Sequence, residues 1–74
     1  MRLDEISTGA SHTVHMIHGS GGIPQRLMEL GVIAGSVVKV LGRAPFGGTL
    51  RVRVGAGQLA LRSDEARLIE VLRK

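Results

Sequence analysis

Leu50-Arg51-Val52-Arg53-Val54 alternates aliphatic and cationic side chains without a break. A strict period of two is the mark of a strand with one face buried and the other in water. Glycine-rich turns flank it: Gly42-Arg43-Ala44-Pro45-Phe46-Gly47-Gly48 before it and Gly55-Ala56-Gly57 after it. Beyond those turns the same period returns. Val38 and Val40 share a face opposite Lys39 in Val37 to Leu41, and Leu59 and Leu61 stand opposite Ala60 and Arg62. The middle of the chain is therefore expected to form three strands joined by tight turns, aliphatic on the inside and basic on the outside.

The flanking segments complete a small β fold. Leu3 to Ile6 is a short lead-in closed by the turn cluster Ser7-Thr8-Gly9. Ser11 to His18 is extended in character, but Val14 and Ile17 lie three apart, so if both are core the strand needs a bulge or sharp bend between them. Leu68 to Leu72 closes the chain as a strand with Ile69 and Val71 inward. One convincing helix falls in the stretch Gln25 to Gly35. Ile23, Leu27 and Leu30 share its apolar face, Gln25, Arg26 and Glu29 take the solvent side, Pro24 occupies the first turn and Gly31 supplies a left-handed end. About two turns do not hold themselves in water, so this face must dock on a sheet. Ser63-Asp64-Glu65-Ala66 resembles a second helix start, with a hydroxyl cap and two acids, only about a turn long. The connector Gly19-Ser20-Gly21-Gly22 lacks the lysine and hydroxyl of a P-loop and is no G-x-G-x-x-G, so it predicts unusual backbone angles rather than a nucleotide cradle. About five short strands with one helix between the first and second cover their edges best by curling into a small barrel, with the helix capping one end.

Seventy-four residues make one domain, 1–74, with a small core. Cysteine is absent, which removes disulfides and thiolate metal sites and suits a reducing compartment. No secretory leader and no bilayer-spanning apolar run is visible, so the chain is expected to be cytoplasmic and not membrane-inserted. The net charge of +4 is unevenly spread. All six carboxylates lie at or before Glu29 or at or after Asp64, and Leu30 to Ser63 carries only Lys39, Arg43, Arg51, Arg53 and Arg62. Such a single-sign surface favours an anionic partner, although basic residues alternating with valines also make an ordinary solvated sheet face.

Four stretches in this order resemble one family: the early G-x-x-x-x-V of Gly9 to Val14, R-L-M-E-L-G at Arg26 to Gly31, V-K-V-L-G-R-A-P-F-G-G at Val38 to Gly48, and L-A-L-R followed by S-D-E-A at Leu59 to Ala66. Together they resemble the FeoA family, small proteins that accompany the bacterial ferrous iron permease FeoB. The same fold also occurs as a C-terminal domain of iron-dependent repressors. The resemblance implies an SH3-like barrel and a cytosolic accessory role in ferrous iron uptake through binding the cytosolic part of FeoB. Ala34, Lys39 and Thr49 depart from the usual pattern, and Lys39 makes the middle face more basic than is common.

The residues themselves point to binding rather than chemistry. No serine, histidine and acid share the spacing of a catalytic set, so no enzyme is expected. His12, His15 and His18 are weak candidates for a transition metal, since on a regular strand His12 and His18 point one way and His15 the other; no cofactor is otherwise implied. Nucleic acid is an alternative partner for the basic face, but Phe46 is the lone aromatic and leaves no stacking platform, so tight binding is not expected. A protein-binding surface is expected at Arg43, Pro45 and Phe46 on the hairpin tip, with Arg51 and Arg53 beside it and Arg26 on the helix. Phe46 folded back as a lid on the core, and a local ion pair for Arg26 and Glu29, are the structural alternatives. Open strand edges would also let two copies pair.

Overall fold

Alternation in sequence becomes alternation in space. In the computed structural model, which describes residues 1–44 and 48–72, Leu50 and Val52 are buried while Arg51 and Arg53 face solvent. They belong to β3 (Thr49–Val54), paired antiparallel with β2 (Val37–Arg43) and β4 (Gly57–Arg62). Val40 stands opposite Val52, and Leu50 opposite Leu61, so one face of the three strands is a continuous aliphatic plate. Full burial of such side chains contributes about 1.5–3 kcal/mol each. The turn into β4 has two residues, Gly55 and Ala56, and Gly55 takes a φ of 59°, the left-handed angle that tight hairpin turns require.

The first strand, β1 (Ser11–Ile17), belongs to two pairings at once. Its first half pairs with β2, Ser11 opposite Lys39 and Thr13 opposite Val37, and its second half pairs with β5 (Ile69–Val71), Val14 opposite Val71 and Ile17 opposite Ile69. The register shifts between Val14 and Met16. That is the bulge demanded by the three-residue spacing of Val14 and Ile17: Val14 is buried, Ile17 packs against the core, and His15 and Met16 both face outward. The full strand order is β4-β3-β2-β1-β5, all antiparallel.

Helix α1 (Gly22–Glu29) lies between β1 and β2, as expected, but begins and ends earlier than the sequence pattern implies. Leu27 is buried and Ile23 packs against the core, whereas Leu30, expected on the same face, is 41% exposed. The helix closes first. Gly31, at φ 93°, donates to the Met28 carbonyl at 3.0 Å and Val32 donates to the Leu27 carbonyl at 2.9 Å, the paired bonds of a Schellman ending. The reversal turns Leu30 outward and brings Val32 onto Leu27, both fully buried.

Helix α2 (Ser63–Arg67) follows β4 and packs against a short 3-10 turn, Leu3–Glu5, touching β3, β4 and β5 as well. Arg62 takes the N-cap position and Ser63 the first helical one, and the carboxylate of Glu65 accepts the Arg62 N–H at 2.9 Å, a bond made from within the first turn. The core gathers Leu3, Val14, Leu27, Val38, Val52, Leu61 and Ile69 from every part of the chain. Beyond β5 the sheet continues briefly, because Val71 donates to the Met1 carbonyl at 2.7 Å and Arg2 bridges Glu70. At the other end β4 is the last strand.

Candidate functional site

The outer face of β2, β3 and β4 follows from the buried one. With valines and leucines inward, Lys39, Arg51, Arg53 and Arg62 must point out, and all four are exposed. Lys39 is directly opposite Arg53, and Arg51 is opposite Gly42 on one side and Ala60 on the other. Directly opposed like charges cost stability in a sheet, about 0.2–1 kcal/mol. Among the described residues none of the four is in an ion pair. A shallow depression of about 240 Å³ lies beside Arg51, where Gly42 and Ala60 are too small to fill the surface. The face is thus a cationic sheet with its charges uncompensated and a recess next to one of them.

Two other cations expected to meet a partner have structural tasks. The Arg43 guanidinium donates to the Ile6 carbonyl at 2.5 Å, tying the end of β2 to the segment after the 3-10 turn. Arg26 pairs with Glu65, across from α1 to α2, rather than with Glu29 on its own helix. Glu65 is buried, and its two carboxylate oxygens are divided between Arg26 and the Arg62 N–H. Pro45 and Phe46, the expected tip of the binding surface, lie outside the described residues.

The histidines do not converge. The bulge overturns the regular alternation assumed for them: His15 is exposed at the shift, His12 is half-buried, and His18 lies past the end of β1. His18 Nε2 is 2.5 Å from Glu70 Oε1, and this hydrogen bond holds the Glu70 carboxyl below the usual carboxylate range. Among the described residues no group of three or more His, Cys, Asp or Glu side chains is arranged to hold a metal ion.

A second surface has no counterpart in the sequence reading. Met16, Ile17, Pro24, Met28, Val32 and Ile33 line an apolar groove of about 310 Å³ between α1, β1 and the loop into β2. Met28 is 57% exposed, Ile33 47% and Met16 45%. Only the bulge after Val14 signals it in advance, because the bulge sends Met16 outward beside α1.

Comparison with known proteins fits this geometry. The family model of the FeoA domain matches residues 1–73. A Fe(2+) transport protein A/Fe(2+) transporter FeoB fusion protein of Porphyromonas gingivalis is 31% identical over 71 residues, 96% of this chain and 8% of the fusion. The chain therefore spans a small fraction of that relative's length. The crystal structure of Stenotrophomonas maltophilia FeoA complexed with zinc, described as an SH3 domain protein, is 36% identical with a TM-score of 0.83, over 96% of this chain and 88% of that one. A manganese-dependent transcriptional repressor is 25% identical with a TM-score of 0.89, over 97% of this chain and 40% of that one.

Proposed function

Because the chain belongs to the FeoA family, we propose that it is a non-enzymatic accessory module of ferrous iron uptake that binds the cytosolic part of a FeoB-like permease. The observation that carries this reading is the Porphyromonas gingivalis fusion, in which a segment similar to nearly all of this chain is joined covalently to FeoB. Covalent joining supports a working association between the two parts, since a linker raises the effective concentration of one module at the other. The module is cytoplasmic; no helix among the described residues is long and apolar enough to cross a membrane. Arg51 and Arg53, with Arg43, Pro45 and Phe46, meet the partner, and Arg26 on α1 extends the contact. No cofactor is required, and His12, His15 and His18 bind transition metal weakly at most.

A pull-down against the cytosolic domain of the cognate permease, at low and moderate salt with a single-stranded oligonucleotide control, tests the reading. Retention that falls with Arg51→Glu/Arg53→Glu supports it. Retention of the oligonucleotide alone makes the chain a nucleic-acid-binding barrel instead. The repressor neighbour favours a second reading, a metal-responsive domain; manganese or ferrous ion shifting the backbone amide resonances of the isolated chain at micromolar concentration would select it.

A further inference from the structure

β4 ends the sheet, and its outward backbone is not covered by another strand among the described residues. Which groups face outward follows from the turn. The pair next to a two-residue hairpin turn, Val54 and Gly57, exchanges hydrogen bonds, and bonded pairs recur at every second position. Gly57, Leu59 and Leu61 are therefore spent on β3, and Gln58, Ala60 and Arg62 direct their N–H and C=O groups away from the sheet. Arg62 bears this out, since its N–H goes to Glu65 Oε1 at 2.9 Å instead of into the ladder. Among the described residues no backbone bond takes up those of Gln58 and Ala60.

We infer that this edge is a docking site for an extended acidic peptide segment with aliphatic residues at alternate positions, which adds a sixth strand next to β4. Three features select that occupant. Side chains of an added strand that lie on the outer face stand beside Gln58 and Ala60, one strand away from Arg51 and Arg53. The Arg51 guanidinium lies toward Gly42 on β2, and because Ala60 on its other side is a single methyl, the side chain is free to swing across β4 to a carboxylate on the added strand. Side chains on the other face cover Leu59, which is only partly buried at the margin of the core. The edge disfavours a second copy of this chain: joining β4 to β4 would place two sets of Lys39, Arg51, Arg53 and Arg62 on one continuous face, with no acidic residue between Leu30 and Ser63 to offset them. The inference rests on the binding-module reading above but not on the permease being the partner.

The test uses a synthetic peptide alternating valine and glutamate, titrated into the isotopically labelled chain and followed by NMR. Saturable shifts and slowed exchange at the Gln58 and Ala60 amides are expected, with intermolecular contacts from the peptide backbone to Ala60. Ala60→Pro removes an outward donor where proline is tolerated, and methylating alternate peptide nitrogens removes the matching donors without touching the protein. Either change should weaken binding about tenfold through the lost backbone hydrogen bonds, and Arg51→Glu should weaken it further. Equal binding of the methylated peptide would overturn strand addition, leaving unspecific charge attraction. So would preferential binding of a thymidine oligomer to the same face, or a dimer that Ala60→Pro abolishes. Retention of the permease domain without these peptide shifts would overturn this inference and leave the proposed function standing; peptide binding without permease retention would do the reverse.

Discussion

The two exposed surfaces of this small barrel are opposites in how they are made. The outer face of β2, β3 and β4 is cationic and built from residues that alternate along neighbouring strands, so one rule of spacing generates all of it. The groove beside α1 is apolar and assembled from Met16, Met28 and Ile33, which come from a bulged strand, a helix and a loop. The first carries a cost in charge repulsion and the second a cost in exposed hydrocarbon. Val32 at the floor of the groove belongs to the core, whereas Met16, Met28 and Ile33 stand outside it.

That comparison breaks first if the groove is part of the core. Leu27→Ala, beneath it, should cost about 3 kcal/mol by urea denaturation, since a fully buried leucine leaves a cavity. Met28→Ala, one residue on, should cost under about 0.5 kcal/mol; similar losses at both positions would make the groove wall structural. Glu65→Ala should cost about 2 kcal/mol, because it removes both the α2 cap and the partner of Arg26. On the cationic face the sign should reverse. Lys39→Glu turns the Lys39 and Arg53 opposition into an attraction and should raise stability by about 0.5 kcal/mol in the same assay. A loss there would mean the face is held by contacts that charge alone does not describe.

The smallest effect lies between the two surfaces, where Glu70 stands opposite Met16 and accepts from His18. Its carboxyl titrates below its unfolded value, held there first by the His18 hydrogen bond, so its contribution to stability is present above the unfolded value and is lost as pH falls through the folded one. In His18→Ala the Glu70 carboxyl resonance should titrate higher, nearer the ordinary glutamate range. An unchanged midpoint would remove His18 as the cause.

The sequence made the strands, the barrel and the cationic face legible because each depends on local spacing, and the L-R-V-R-V run alone predicts which arginines are outside. The bulge was legible too, from Val14 and Ile17. Leu30 was not, because a helical wheel assumes that the helix goes on, and the chain reverses at Gly31 one residue later. Arg26 and Glu65 are far apart in sequence and meet only because α2 follows β4 onto the side of the barrel where α1 docks. The apolar groove, lined entirely from the stretch Met16 to Ala34, was signalled only by the bulge that turns Met16 outward, because its walls meet only once α1 has folded back beside β1.

β1 spends its first half on β2 and its second half on β5, and this has a consequence for the order of assembly. β2, β3 and β4 are joined by short turns and can zip as neighbours, whereas Val14 reaches Val71 only after nearly the whole chain has been gathered. Loop closure over that distance is entropically slow to reward. The meander with its arginines is therefore expected to form early, and joining β1 to β5 to be the late step. Substitutions at the bulge should then speed unfolding more than they slow folding, which a chevron plot would show as an upward displacement of the unfolding limb larger than the drop of the folding limb.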